Sequence, residues 1–207
     1  QFRSQLSLPP ILAELQPLLG RPDYPVYLVG GAVRDAILGR PVHDLDFATA
    51  GDAVRLARAV ADRLGGAFFL LDAERATARV ILSHMDLDFA RFRGPTLADD
   101  LQDRDFTVNA MALPAGSSDP AEIIDPCGGQ RDLGDCLLRV TNPLALQRDP
   151  LRALRAVRQS AELELTLEPE TLNLVQEAAL LLPSVSTERV RDELGRILAG
   201  PRPAAAL

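Results

Sequence analysis

The chain has 207 residues, 47% hydrophobic and 25% charged, a balance that suits a globular protein with one sizeable core or two small ones. A formal charge of −7 and an isoelectric point near 4.9 argue against a broad nucleic-acid-binding face, which needs clustered cations, and against a DNA partner. Cys127 and Cys136 lack metal-ligand spacing and are too few for a disulfide framework, no apolar run approaches the roughly eighteen residues of a membrane span, and no leader opens the chain, so a cytoplasmic setting without a membrane partner is expected.

Ile11, Leu12, Leu15, Leu18 and Leu19 recur at helical spacing and predict a helix over Pro9 to Leu19. The apolar run Val26 to Val29 reads as a strand ending at Gly30-Gly31, followed by a helix from Ala32 to Leu38 that stops at Gly39. Asp44 to Phe47 alternates as a half-buried strand does, which puts Asp44 and Asp46 on one face. Asp52 to Leu64 predicts an amphipathic helix closed by Gly65-Gly66, and Ala67 to Leu71, Ala78 to Leu82 and Leu87 to Phe92 read as strands. The first half is therefore expected to be a mixed sheet flanked by helices. Short helical pieces are expected over Thr107 to Leu113, a loop from Pro114 to Pro120, and a strand over Leu137 to Val140. Everything from Pro143 onward reads as helix: one with Leu151, Leu154 and Val157 on a face, one over Leu172 to Leu182, and one over Val190 to Leu198 opening at Ser186 or Thr187. A boundary near Thr141 is expected, with residues 1–141 as a catalytic head and 142–207 as a helical neck; the low-complexity stretch is the C-terminal alanine run. A chain that opens at Gln1 without Met and closes on Pro-Arg-Pro-Ala reads as a piece of something longer.

Two carboxylates at i, i+2 on a strand lie roughly 6–7 Å apart, close enough to serve divalent ions about 4 Å apart. Hard oxygen ligands suit Mg²⁺, which fills its remaining positions with water and substrate phosphate. An Asp-x-Asp alone fits an exposed strand with solvated acids better than a metal site. The strand, Gly30-Gly31 turn and helix just upstream add a second element, because such a turn aims backbone N–H groups at an anion. A plain tight turn needing φ > 0 is its simpler alternative. Asp88, on a predicted neighbouring strand, offers a third carboxylate for metal ligation or for deprotonating an attacking hydroxyl. The charge is uneven: Arg148, Arg152, Arg155 and Arg158 form a basic stripe within an acidic total.

Four ordered motifs closely resemble the bacterial-type tRNA nucleotidyltransferases (CCA-adding enzymes) and the related poly(A) polymerases: Leu28 to Asp35 (LVGGAVRD), Asp44-Leu-Asp46, Arg104 to Ala110 (RDFTVNA) and Asp125 to Gly129 (DPCGG). The resemblance spans residues 26–198. It implies an α+β fold, a polymerase-β-like nucleotidyltransferase head followed by an all-helical neck. It also implies Asp44 and Asp46 as catalytic metal ligands, Asp88 as the acid completing the active site, and Gly30, Gly31 and Arg34 as holders of the triphosphate. Arg104, Asp105 and Asn109 would contact the nucleotide's phosphates and ribose, although Asp105 or Thr107 also fits a helix N-cap. In Arg148 to Arg158, Asp149 and Arg152 are expected at i, i+3 on one helix face, where an acceptor and a fork-shaped donor complement the amino and ring-nitrogen edge shared by cytosine and adenine. A surface salt bridge between the two is the plainer alternative. The family uses matching residues as a protein template, with Arg155 and Arg158 continuing the nucleotide-binding stripe.

Two departures bear on nucleotide choice. Arg148 stands where the family usually carries Glu, and only Gly94 to Asp103 separates Arg93 from Arg104, a connection that is longer in full CCA-adding enzymes and shortened in CC-adding ones. The expectation is CC addition to a tRNA 3′ end from CTP, with Mg²⁺. Full CCA addition, A addition or poly(A) synthesis from ATP is the alternative. A third departure is length, since the family continues into helical body and tail domains that grip tRNA. A nucleotide sensor without turnover would need none of the three carboxylates, and a metal-dependent phosphohydrolase lacks a His-Asp cluster, His43 and His84 being the histidines present.

Overall fold

The computed structural model describes residues 6–20 and 24–202; the alanine run at the C-terminus lies outside them. The described chain divides into two compact units, the first comprising residues up to Gln102 together with Asn109–Pro126, the second Asp103–Val108 together with Cys127 onward. The boundary expected near Thr141 falls inside the second unit.

The first unit is built on a six-stranded mixed sheet. Its elements are α1 (Ile11–Leu19), β1 (Val26–Val29), α2 (Gly31–Leu38), β2 (Asp44–Thr49), α3 (Ala53–Leu64), β3 (Ala67–Asp72), β4 (Thr77–Ile81), β5 (Asp86–Arg91), α4 (Leu97–Gln102) and β6 (Ala112–Pro114). The strand order is β3-β4-β5-β2-β1-β6, with β2 parallel to β5 and antiparallel to β1. Alternation produces the core: Leu45, Phe47, Leu87, Phe89, Ala78 and Val80 are buried on one face, and the Phe47 and Phe89 rings stack at 4.8 Å. Helix α3 closes that face with Ala53, Ala57, Val60 and Ala61; it is capped by the Asp52 carboxylate on the Arg55 N–H at 2.9 Å and ended by Gly65 at φ 66°.

Where short helical pieces are expected over Thr107 to Leu113, Thr107–Asn109 form a 3₁₀ helix, whereas Ala112–Pro114 form β6, because β1 offers them an edge to pair with.

The second unit holds α5 (Gly129–Gly134), β7 (Leu137–Leu138), α6 (Ala145–Arg148), α7 (Leu151–Leu163), β8 (Thr166–Leu167), α8 (Pro169–Ala179) and α9 (Thr187–Ala199). Helix throughout is the expectation past Pro143, but β8 interrupts it by pairing in parallel with β7. The chain enters this pairing through Glu164, which is left-handed at φ 58° and ends α7. Helix α7 packs on both α8 and α9, burying Leu151, Ala153 and Ala156. The strap Asp103–Val108 belongs here because it pairs with the stretch after β7: Phe106 bridges Val140, Thr107 N–H donates to the Arg139 carbonyl at 2.9 Å, and Thr141 N–H donates to the Asp105 carbonyl at 3.1 Å.

Candidate active site

Strand β2 displays Asp44 and Asp46 on its exposed face while Leu45 and Phe47 point into the core. Register then aligns a row across the sheet: Val29 of β1 faces Asp46, Asp46 faces Asp88 of β5, and Asp88 faces Arg79 of β4. One residue pair further along, Asp44 lies opposite Asp86. In-register neighbours project to one side, so these carboxylates and one guanidinium share a face.

Immediately after Val29 the chain turns through Gly30, whose φ of 74° and ψ of −139° are accessible to glycine. Its own N–H donates to the Met111 carbonyl at 3.2 Å, so this amide holds the turn to the chain before β6 and does not point at an anion. The helix α2 begins at Gly31, where a Cβ would stand 3.2 Å from the Arg34 guanidinium. Arg34 donates from Nε and Nη2 to the Asp35 carboxylate at 2.9 Å each and from Nη1 to Asn109 Oδ1 at 2.5 Å. The structure therefore brings Gly30, Gly31, Arg34 and Asn109 together at the end of β1, beside Asp46.

Arg79 lies outside the four motifs. It donates from Nε and Nη2 to the two oxygens of Asp88, both at 2.7 Å, and from Nη1 to Asp86 at 3.3 Å. The Asp88 hydrogen bond, with the fields of Asp88, Asp86 and Asp44, raises the Arg79 pKa despite partial burial. The available signal was the alternation Thr77-Ala-Arg-Val-Ile81, which makes Arg79 project from the same face as the acids once β4 and β5 form a hairpin.

No group of three ligating side chains that could hold a metal is formed among the described residues. Asp44 and Asp46 nonetheless present two hard oxygen donors on one face, a partial set that fits a cation completing its shell from water and phosphate.

The remaining predicted residues lie in the second unit. Asp105 is buried: Oδ1 accepts the Phe106 N–H at 2.8 Å and Oδ2 pairs with Arg155 Nη2 at 2.8 Å. Arg104 offers its carbonyl to the Thr141 hydroxyl at 2.5 Å and to Arg152 Nη1 at 3.2 Å. Asp149 and Arg152 do not share a helix face. Asp149 is extended (φ −143°, ψ 93°) between α6 and α7, because the following Pro150 disfavours helical geometry at the residue before it. Its Oδ2 accepts from Arg189 Nη2 of α9 at 2.9 Å, and it lines a cavity of about 440 Å³ with Gln147, Arg148, Pro150, Ser184 and Arg189. Arg152 donates to three carbonyls, those of Asp103, Arg104 and Ala145, at 3.0 to 3.3 Å. Arg158 is drawn away from the others, binding Glu193 at 2.6 Å and Glu162 at 2.8 Å. Burial opposes its charge, but these two carboxylates outweigh that and raise its pKa. It staples α7 to α9.

Residues 26–96 and 94–139 match the model of the poly A polymerase head domain, and 164–207 match a probable RNA and SrmB-binding site of polymerase A. The chain belongs to the tRNA nucleotidyltransferase and poly(A) polymerase family. Curated relatives include a CC-adding tRNA nucleotidyltransferase of Geobacter sulfurreducens, 44% identical over 92% of this chain and 44% of its own length. An A-adding tRNA nucleotidyltransferase of Deinococcus radiodurans is also 44% identical, over 87% of this chain and 43% of its own. Among solved structures, the apo form I of a tRNA-processing enzyme superposes with TM-score 0.84 at 34% identity, covering 98% of this chain and 56% of that one. A Thermotoga maritima CCA-adding enzyme complexed with tRNA gives 0.83 at 33% identity, covering 96% and 50%. The mixed sheet flanked by helices is thus the fold of this nucleotidyltransferase family, and the chain spans less than half the length of those two curated relatives.

Proposed function

We propose that the protein carrying this chain is a template-independent tRNA nucleotidyltransferase that adds CMP to tRNA 3′ ends from CTP, building the CC of the CCA terminus in the cytoplasm. The observation that carries this reading is the exposed Asp44-Asp46 pair of β2, in register with the strand that turns through Gly30-Gly31 and beside the Arg34-Asn109 contact. The reaction is attack of a 3′-hydroxyl on the α-phosphorus of CTP with pyrophosphate as the leaving group. Asp44 and Asp46 would hold Mg²⁺, whose chemistry there is neutralising triphosphate charge and easing loss of the hydroxyl proton. Asp88, oriented by Arg79, keeps a third carboxylate on the same face. The first turn of α2 with Arg34 and Asn109 meets the triphosphate, Arg104 and Asp105 serve the nucleotide's phosphates and ribose, and Asp149 with Arg152 selects the base.

Replacing Asp44 or Asp46 by Ala removes an exposed side chain and should leave the fold intact. Incorporation should fall by about 10²–10³-fold or more, the size of losing several kcal/mol of charge stabilisation. Full activity with either variant refutes the assignment.

CC addition is favoured by the short Gly94–Asp103 connection and by CC-adding relatives at 44% and 43% identity. The equally similar A-adding relative supports A addition as a second reading. Supplying the whole protein with tRNA ending at the discriminator base, or at CC, and each labelled nucleotide separately decides between them. Two CMP and then arrest is the outcome for CC addition, and one AMP on the CC-ending substrate is the outcome for A addition.

A further inference from the structure

The basic stripe of α6 and α7 is turned onto the chain itself. Arg148 Nη1 meets Asp103 Oδ1 at 2.8 Å, Arg152 donates to the carbonyls of Asp103 and Arg104, and Arg155 meets the Asp105 carboxylate at 2.8 Å. Successive arginines thus grip successive residues of the strap. Asp103 is the hinge of this arrangement, because its carboxylate orients Arg148 while its carbonyl, 3.0 Å from Arg152 Nη2, orients Arg152. Asp149 lies between the two arginines in the chain, and its carboxylate accepts from Arg189 Nη2 at 2.9 Å.

We propose that Asp103 and Arg148 are positioning residues for base selection: their ion pair fixes the strap against the α6–α7 junction and so sets the directions in which Asp149 and Arg152 present acceptor and donor. The inference rests on the reading that Asp149 and Arg152 select the base. Its logic is geometric. A planar guanidinium reads an edge only if its plane is fixed, and the plane of half-buried Arg152 is fixed by two strap carbonyls, of Asp103 and Arg104, together with the Ala145 carbonyl of α6. If the strap loosens, Arg152 turns, and the acceptor–acceptor clash that rejects uracil softens. A Glu at position 148 would face Asp103 carboxylate to carboxylate, so Arg148 and Asp103 fit as a matched set. Both side chains are partly exposed, at 57% and 38%, so the latch is screened by salt and modest in strength.

The test compares kcat/KM for CTP against UTP in the whole protein with Asp103→Asn, Asp103→Arg, Arg148→Glu and the double variant Asp103→Arg/Arg148→Glu, with Asp149→Ala as reference. Asp103→Asn should lower the CTP:UTP ratio about two- to fivefold, in keeping with an exposed pair, and the two charge reversals should lower it more. The double reversal should restore it. Equal losses for CTP and UTP would show a merely structural pair and overturn the proposal, as would failure of the double variant to recover the ratio. If a charge reversal fails to fold, the near-isosteric Asp103→Asn decides alone. An unchanged ratio in these variants beside a reduced one in Asp149→Ala overturns the latch and leaves base selection standing, whereas an unchanged ratio in Asp149→Ala removes the base-selecting role itself.

Discussion

Arg79 holds two carboxylates of β5 on a face that also carries Asp44 and Asp46. With Arg79→Gln the positive charge is lost and four like charges remain on adjacent strands, where repulsion is felt directly. A loss of about 1 kcal/mol is expected, near the upper end for a partly exposed pair with fork geometry, or roughly 2–4 °C in Tm for a chain of this length. Thermal unfolding of the variant should also gain more from added Mg²⁺ than that of the parent, because a cation can then screen the same carboxylates; equal gains would show that the guanidinium does not screen them. The Asp44-Asp46 face was legible in the sequence because strand alternation is local. The Arg79–Asp88 clamp was not, since it depends on the β4–β5 register, which a single strand does not disclose. Asp149 is a different case. The i, i+3 spacing to Arg152 points to a shared helix face, but the constraint that Pro150 puts on its predecessor prevails.

Helix α8 begins where the same constraint recurs. Glu168 is extended before Pro169, and its Oε2 accepts the Thr171 N–H at 2.9 Å and the Thr171 hydroxyl at 3.1 Å. Burial pushes its pKa up, but the hydrogen bonds from Thr171 and the field of Arg139 prevail and hold it below the ordinary value. A carboxyl depressed in the folded state contributes stability above its unfolded pKa of about 4.3, and that contribution is lost as pH falls through the lower folded value. Glu168→Gln keeps the cap acceptor and removes the charge. It should cost about 0.3–1 kcal/mol at pH 7, the range for a charge at a helix N-terminus, and almost nothing near pH 2. Urea unfolding at both pH values checks this, and a constant difference would assign the effect to packing. Elements with their own caps or breakers, α2, α3 and the β3–β4–β5 meander, were readable from sequence. Strands β6 and β8 were missed because each is two or three residues long and exists only through a partner distant in the chain.

At the scale of the whole chain, the division into units follows the strap rather than a linker. Residues 103–108 pair with 139–141 of the second unit, while Asn109, five residues beyond Arg104, bonds Arg34 in the first. Nothing in the local pattern marks such a crossing, so a boundary read from where the chain turns all-helical, after Pro143, settles near Thr141. The same pattern of internal pairing governs RNA affinity. All 22 basic residues are arginine, set against 29 acids, and the stripe that looked available for phosphate is engaged: Arg148 with Asp103, Arg155 with Asp105, Arg158 with Glu162 and Glu193, Arg189 with Asp149. A phosphate contact at these arginines competes with their carboxylate partners, and the net charge of −7 works against approach. The 207-residue chain alone should therefore bind tRNA only in the non-specific range, about 10⁻⁴–10⁻⁶ M near physiological salt, with a log–log salt slope corresponding to about one or two phosphates. Fluorescence anisotropy with labelled tRNA between about 50 and 200 mM salt measures both quantities. Nanomolar binding with a steep slope would mean that these arginines exchange carboxylates for phosphates readily, and the grip on tRNA would then lie within the head and neck rather than in the additional length of the family's longer members.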